Sequence, residues 1–91
     1  MKARENLKKT RMEKGMTQEE LASAVGIARP FLAHIEQGRY NPSLFVALSL
    51  SAILGKPVEF LFCEEFEAAT RLVTSYQKTS QRNVSPAPRV R

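Results

Sequence analysis

Apolar residues recur along this chain at helical steps, punctuated by glycines at near-regular intervals. Gly15, Gly26, Gly38 and Gly55 each follow a stretch with helical periodicity, the place where a left-handed residue ends a helix. Five short helices are predicted. The first spans roughly Lys2–Lys14. Thr17 caps the second, with Glu20 three residues on to complete a capping box; Leu21, Ala22 and Val25 form its inner face. The third runs from about Arg29 to Gln37 and buries Leu32 and Ile35. Ser43, after the Asn41-Pro42 turn, caps a fourth that ends at Leu54. Pro57 suits the first position of a short fifth that ends near Phe62. No alternating apolar–polar pattern survives beyond four residues, so the fold class is all-α.

The fourth helix is apolar all round: Leu44 to Leu54 contains no charged residue. Such a helix needs cover on every side, and a domain this small covers one stripe. Phe45 and Phe60 are therefore candidates to lie under something else, either a second copy of the chain or the segment from Glu64 to Tyr76. That segment places Phe66, Ala69, Val73 and Tyr76 at three- and four-residue steps, a single amphipathic stripe. Beyond Lys78 the residues are mainly Ser, Thr, Gln, Asn, Pro and Arg. The expected layout is a compact five-helix domain over 1–62, an amphipathic helical extension over 63–77 and a flexible basic tail over 78–91.

Composition narrows the class of function. Ninety-one residues make one small domain with a tail. The formal charge of +5 favours a polyanionic partner, nucleic acid ahead of membrane. The charge is segregated: residues 1–14 hold six basic and two acidic side chains, 78–91 hold four basic and no acidic ones, and Arg29 and Arg39 lie between. One cysteine, Cys63, excludes an internal disulfide framework and any cysteine-rich zinc site. A single histidine and scattered carboxylates give no nucleophile–base or metal spacing, so neither an enzyme, a cofactor nor a metal is expected. No apolar run reaches membrane-spanning length, and the basic start lacks the apolar core of a secretory signal. The expected address is a reducing cytoplasm.

The most informative stretch joins the second and third helices across Gly26. Ala22 permits close helix crossing, and Val25, Ile27, Leu32 and Ile35 fill the angle, the packing logic of a helix-turn-helix. Two further runs carry a resemblance: Arg11-Met12-Glu13-Lys14-Gly15-Met16-Thr17-Gln18-Glu19-Glu20-Leu21-Ala22 and Ile35-Glu36-Gln37-Gly38-Arg39-Tyr40-Asn41-Pro42-Ser43-Leu44. With the length between them, they make residues 6–62 resemble the λ-repressor/Cro-type (XRE) helix-turn-helix family. The resemblance implies a five-helix DNA-binding domain whose third helix enters the major groove, in regulators that bind operators as dimers.

Candidate roles follow residue by residue. Leu32 and Ile35 turned inward leave Pro30, Ala33, His34 and Gln37 facing outward, with Arg29 at the first turn. Arg29 can read guanine O6 and N7 or hold a phosphate; Pro30 and Ala33 offer apolar surface to a thymine methyl; His34 can donate to a base edge or phosphate. Pro30 biases Arg29 away from helical geometry, so the third helix is expected to begin one residue late. The resemblance places base readers at Arg29, Pro30 and His34, and DNA-backbone contacts at Thr17 and Gln18, where a helix N-terminus favours an anion. It adds Gln37, Arg39, Tyr40 and Asn41 after the third helix, although Tyr40 can equally pack on the core. Glu36 sits in a last turn, where the helix dipole disfavours an acid, and the resemblance pairs it with Arg11 as a structural bridge. Met12 and Met16 are expected in the core, and Cys63 as a half-buried apolar residue. Phe45, Phe60, Phe66 and Val73 are the candidates for dimer or tail packing.

The leading expectation is a sequence-specific regulator, a repressor more than an activator, acting as a homodimer on a near-palindromic site. A DNA-binding antitoxin, with its C-terminal segment on a protein toxin, is a close variant. A helical interaction module without DNA binding is the alternative from another class.

Overall fold

The computed structural model describes residues 2–80. Six helices follow one another: α1 (Glu5–Glu13), α2 (Gln18–Val25), α3 (Arg29–Glu36), α4 (Leu44–Leu54), α5 (Val58–Leu61) and α6 (Cys63–Ser80). No strand occurs among the described residues. The helices are short because capping chemistry stops and starts them. Thr17 Oγ1 accepts from the Glu20 amide at 3.0 Å while Glu20 Oε1 accepts from the Thr17 amide at 2.9 Å, the reciprocal box that satisfies first-turn donors of α2. Ser43 Oγ accepts from the Val46 amide at 3.1 Å and starts α4.

Three predicted boundaries shift. α1 begins at Glu5 rather than Lys2, because residues 2–4 lie against the end of α3, where the Arg4 amide donates to the Glu36 carbonyl. Pro57 is the N-cap of α5, with extended backbone, rather than its first helical residue. α3 starts at Arg29, not one residue later, with Pro30 in its first turn, where the missing amide costs no hydrogen bond.

The core forms where α1 to α5 meet. Leu7, Leu21, Leu32, Ile35, Leu50, Leu54 and Leu61 are wholly or almost wholly removed from solvent, with Ala22, Val46, Ala47 and Phe62 beside them. Each large side chain in that set contributes about 1.5–3 kcal/mol by burial. α2 packs on α3 and α4, α1 on α3 and α5, and α5 on α4 and α6. Met16 packs at the margin of this core. Met12 does not; it is 59% exposed, on the solvent side of α1.

One buried ion pair ties the first helix to the third. Arg11 Nε donates to Glu36 Oε2 at 2.6 Å and its Nη2 donates to Oε1 at 3.3 Å. Arg11 also donates to the Met16 carbonyl at 2.8 Å, holding the turn between α1 and α2. Buried Thr10 lies beside it on α1.

The end of α3 requires glycine. Gly38 has φ +80°; its amide donates to the Ile35 carbonyl and the Arg39 amide to the His34 carbonyl, a Schellman closure. A Cβ there would overlap the Lys2 carbonyl.

α6 does not cover α4. Phe45 is 73% exposed and Phe60 40%, while Phe66 and Val73 on α6 are themselves half exposed. The segment Glu64–Tyr76 is thereby excluded as the lid that the uncharged fourth helix calls for. α6 is helical through Ser80, three residues past the expected end of the extension. The remainder of the predicted flexible tail, 81–91, lies outside the described residues, as does the side-chain placement of 78–80.

Cys63 sits where α5 gives way to α6, half-buried, with Asn6 Nδ2 3.4 Å from its sulfur. Desolvation, reinforced by Glu64 and Glu67, holds its thiol above the ordinary value, so the protonated form dominates at neutral pH.

Two outcomes follow. Arg11→Ala leaves the Glu36 carboxylate buried without its partner and is expected to lower unfolding free energy by about 3–5 kcal/mol, measured by urea denaturation. Cys63 should alkylate more slowly than free cysteine at pH 7.5, the gap closing as pH rises through its elevated pKa; reaction at the free-cysteine rate contradicts the assignment.

Candidate nucleic-acid interface

α2 and α3, joined by the left-handed Gly26 turn, present the outer side of α3 to solvent. Arg29 and Pro30 are exposed, Ala33 and His34 half-buried, and Gln37 exposed. The expected outward face therefore exists, but His34 is presented only in part. Its ring lies 4.9 Å from that of Tyr40, which in turn lies 5.8 Å from Phe31. Its Nδ1 is buried, with no hydrogen-bond partner among the described residues. The aromatic cluster fills the corner between α3 and the following loop, so part of the ring remains for a base or phosphate. The Tyr40 ring packs on this cluster and is half exposed at the rim.

Arg29 is not free to wander. Its Nη1 donates to Gln18 Oε1 at 3.2 Å, and Gln18 Nε2 donates to Glu36 Oε1 at 3.0 Å. A polar chain thus runs from Arg11 through Glu36 and Gln18 to Arg29, from the centre of the domain to the tip of α3. Glu36 accepts from two helices, which explains a carboxylate at an unfavourable helix end. Gln18 lies at the first turn of α2 with its amide group engaged inside the protein, and Thr17 is committed to the cap. Backbone amides at that N-terminus still point outward, a geometry suited to an anion.

On the other side of α3, Gln37, Arg39, Tyr40 and Asn41 form the loop before α4, all exposed. Asn41 is partly occupied, because its Oδ1 accepts from Arg4 at 2.7 Å. Arg4 is the residue that sequence reasoning missed. It counts among the basic groups of the N-terminus, yet it is only 1% exposed. Nothing in the spacing of Lys2, Arg4, Lys8 and Lys9 distinguishes it; an N-terminal residue just before a helix ordinarily faces water.

The surface formed by α2, α3 and the 37–41 loop is thus an apolar and hydrogen-bonding ridge with a positioned arginine at one end and Arg39 at the other. It can insert into a groove and grip flanking phosphates. Among the described residues no group of three His, Cys, Asp or Glu could hold a metal, and no helix is long and apolar enough to cross a membrane.

Comparison with known proteins agrees with this geometry. The helix-turn-helix family matches residues 7–61. An uncharacterised HTH-type transcriptional regulator of Archaeoglobus fulgidus is 41% identical over 59 residues, 65% of this chain and 84% of that protein. The immunity repressor of Bacillus phage phi105 is 38% identical over 61 residues, 67% of this chain but 42% of that protein. Among solved structures, the restriction-modification controller protein C.AhdI of Aeromonas hydrophila superposes with a TM-score of 0.59 at 34% identity, covering 64% of this chain and 88% of that one. A two-helix reading unit of this shape, matched over the whole of its compact part, places the chain in the XRE-type, λ-repressor-like helix-turn-helix family of DNA-binding transcriptional regulators, which are not enzymes.

Proposed function

We propose that this chain is a repressor that binds a near-palindromic operator as a homodimer, reading bases with α3. The single observation that carries the reading is the Gln18–Arg29 contact at 3.2 Å, which fixes a guanidinium at the exposed start of α3. An arginine so held is pre-organised for a bidentate contact to guanine O6 and N7. Pro30 and Ala33 then face apolar base edges and His34 reaches a base or phosphate from the aromatic corner. Thr17 and Gln18 at the start of α2, and Gln37, Arg39, Tyr40 and Asn41 after α3, grip the backbone on either side. Residues 1–62 form the DNA-binding unit, 63–77 the amphipathic extension and 78–91 a basic tail that adds charge attraction to DNA. The repressor role is supported by likeness to the phage immunity repressor. The expected place of action is the cytoplasm, on the nucleoid.

Dimerisation is supported by exposed apolar side chains: Leu44, Phe45 and Leu48 on α4, Phe60 on α5, and Phe66 and Val73 on α6. Two copies joined by these residues would bring their α3 helices to major grooves about 34 Å apart, hence the near-palindrome. The antitoxin variant has no observation of its own, since the exposed stripe of α6 serves a second copy equally well.

Selection of bound duplexes from a random pool should return such a half-site repeat, and equal affinity for random and selected duplexes sinks the reading. Arg29→Ala should weaken the selected site by roughly five- to a hundredfold, the equivalent of about 1–3 kcal/mol, and relax preference at one base pair per half-site. Arg39→Ala should weaken all sequences alike and reduce the salt slope by about one. Phe45→Glu should convert the dimer to monomer in sedimentation and weaken operator binding, with helical content unchanged by circular dichroism.

A further inference from the structure

Arg4 sits at a junction that the reading of α3 as the base-contacting helix does not use. Its backbone amide donates to the Glu36 carbonyl at 2.8 Å, pinning residues 2–4 against the last turn of α3. Its guanidinium donates in three directions. Nη1 donates to the Ile35 carbonyl at 2.6 Å and to the Tyr40 carbonyl at 2.9 Å. Nη2 donates to Asn41 Oδ1 at 2.7 Å and to Glu65 Oε2 at 2.8 Å, while Nε donates to Glu65 Oε1 at 3.3 Å. The cation also lies 5.2 Å from the centre of the Phe62 ring. All donor groups are thus engaged, and the acceptors come from three separate places: the end of α3, both sides of the 37–41 loop exit, and α6.

The chemistry makes this more than packing. Bare carbonyls at a helix C-terminus attract a cation, but a buried guanidinium also requires a counter-charge. Glu65 is the carboxylate that pairs with it, and it belongs to α6, outside the compact unit. A lysine could not replace the fork, since a single ammonium cannot reach Ile35, Tyr40, Asn41 and Glu65 together.

We infer that Arg4 is a positioning residue for the 37–41 loop, and that its pairing with Glu65 makes the placement of that loop depend on the seating of α6. Resting on the reading that this loop grips the DNA backbone, the inference means that operator affinity responds to displacement of a helix outside the reading unit.

The test uses the full chain, with Arg4→Lys, Glu65→Gln and the double variant, beside Arg39→Ala as a control on the loop's contact with DNA. Amide exchange at Gly38 and Arg39, whose protecting hydrogen bonds close α3, reports loop order; amides of α2 and α4 report the core; fluorescence anisotropy reports affinity for the selected operator. The Glu65 side chain is half exposed, but Glu65→Gln removes the counter-charge of a buried guanidinium, so it should lower the melting temperature modestly. It should speed exchange at Gly38 and Arg39 by about tenfold relative to the core and weaken operator binding by about three- to tenfold. Arg4→Lys should act in the same direction more strongly, and adding Glu65→Gln to it should have little further effect. Exchange at Gly38 and Arg39 that stays unchanged, or rises only in step with the core, overturns the positioning role. Additive effects of the two substitutions overturn the link to α6. Loop loosening without loss of affinity overturns the coupling to DNA. Arg39→Ala with unchanged affinity and salt dependence overturns instead the underlying reading of the loop, and the exchange data still decide the role of Arg4.

Discussion

The architecture turns on the last turn of α3, where two buried arginines from the N-terminal part of the chain meet. Arg11 reaches the Glu36 side chain and Arg4 the carbonyls around it. A helix of eight residues has too little surface to be fixed by apolar contact alone, and Leu32 and Ile35 are its only fully buried apolar anchors. The charged contacts supply what the short helix lacks: a defined rotation about its axis and a defined height above the core. Both matter for a reading helix, since a shift of one residue would turn its outer face by about 100° about the axis.

Glu36 is the shared member of this arrangement. Its carboxylate is divided between Arg11 and Gln18, and Gln18 passes the constraint on to Arg29. The orientation of the exposed arginine at the start of α3 is therefore set by a carboxylate at the end of the same helix, through a side chain on its neighbour.

Much of this was legible before any coordinates. The glycine rhythm, the Thr17–Glu20 box and the Ser43 cap fix five helices, because such signals act within a few residues of themselves. The inward pair Leu32 and Ile35 follows from spacing alone. What sequence could not give is long-range. Arg4 and Glu65 are sixty-one positions apart, and nothing local marks either as a partner. α1 starts later than its periodicity predicts for the same reason, since residues 2–4 are held by contacts to the end of α3 that no helical periodicity encodes. The aromatic corner of Phe31, His34 and Tyr40 is also tertiary: His34 falls on the outer side of a wheel, yet a loop residue six positions later folds back over it. The uncharged run of α4 calls for cover, and of the two sources that the sequence offers α6 is not one, since the structure leaves Phe45 open.

The anchoring residues and the outward residues of α3 form nearly separate sets. Leu32, Ile35 and Glu36 hold the helix in place, whereas Arg29 and Pro30 are exposed, with Arg29 tied back through Gln18 alone among the contacts described. A scaffold divided in this way lets its outer positions be exchanged one at a time without cost to folding. It is the arrangement from which a set of paralogues with divergent targets could be drawn, each keeping the same frame and altering only its exposed letters.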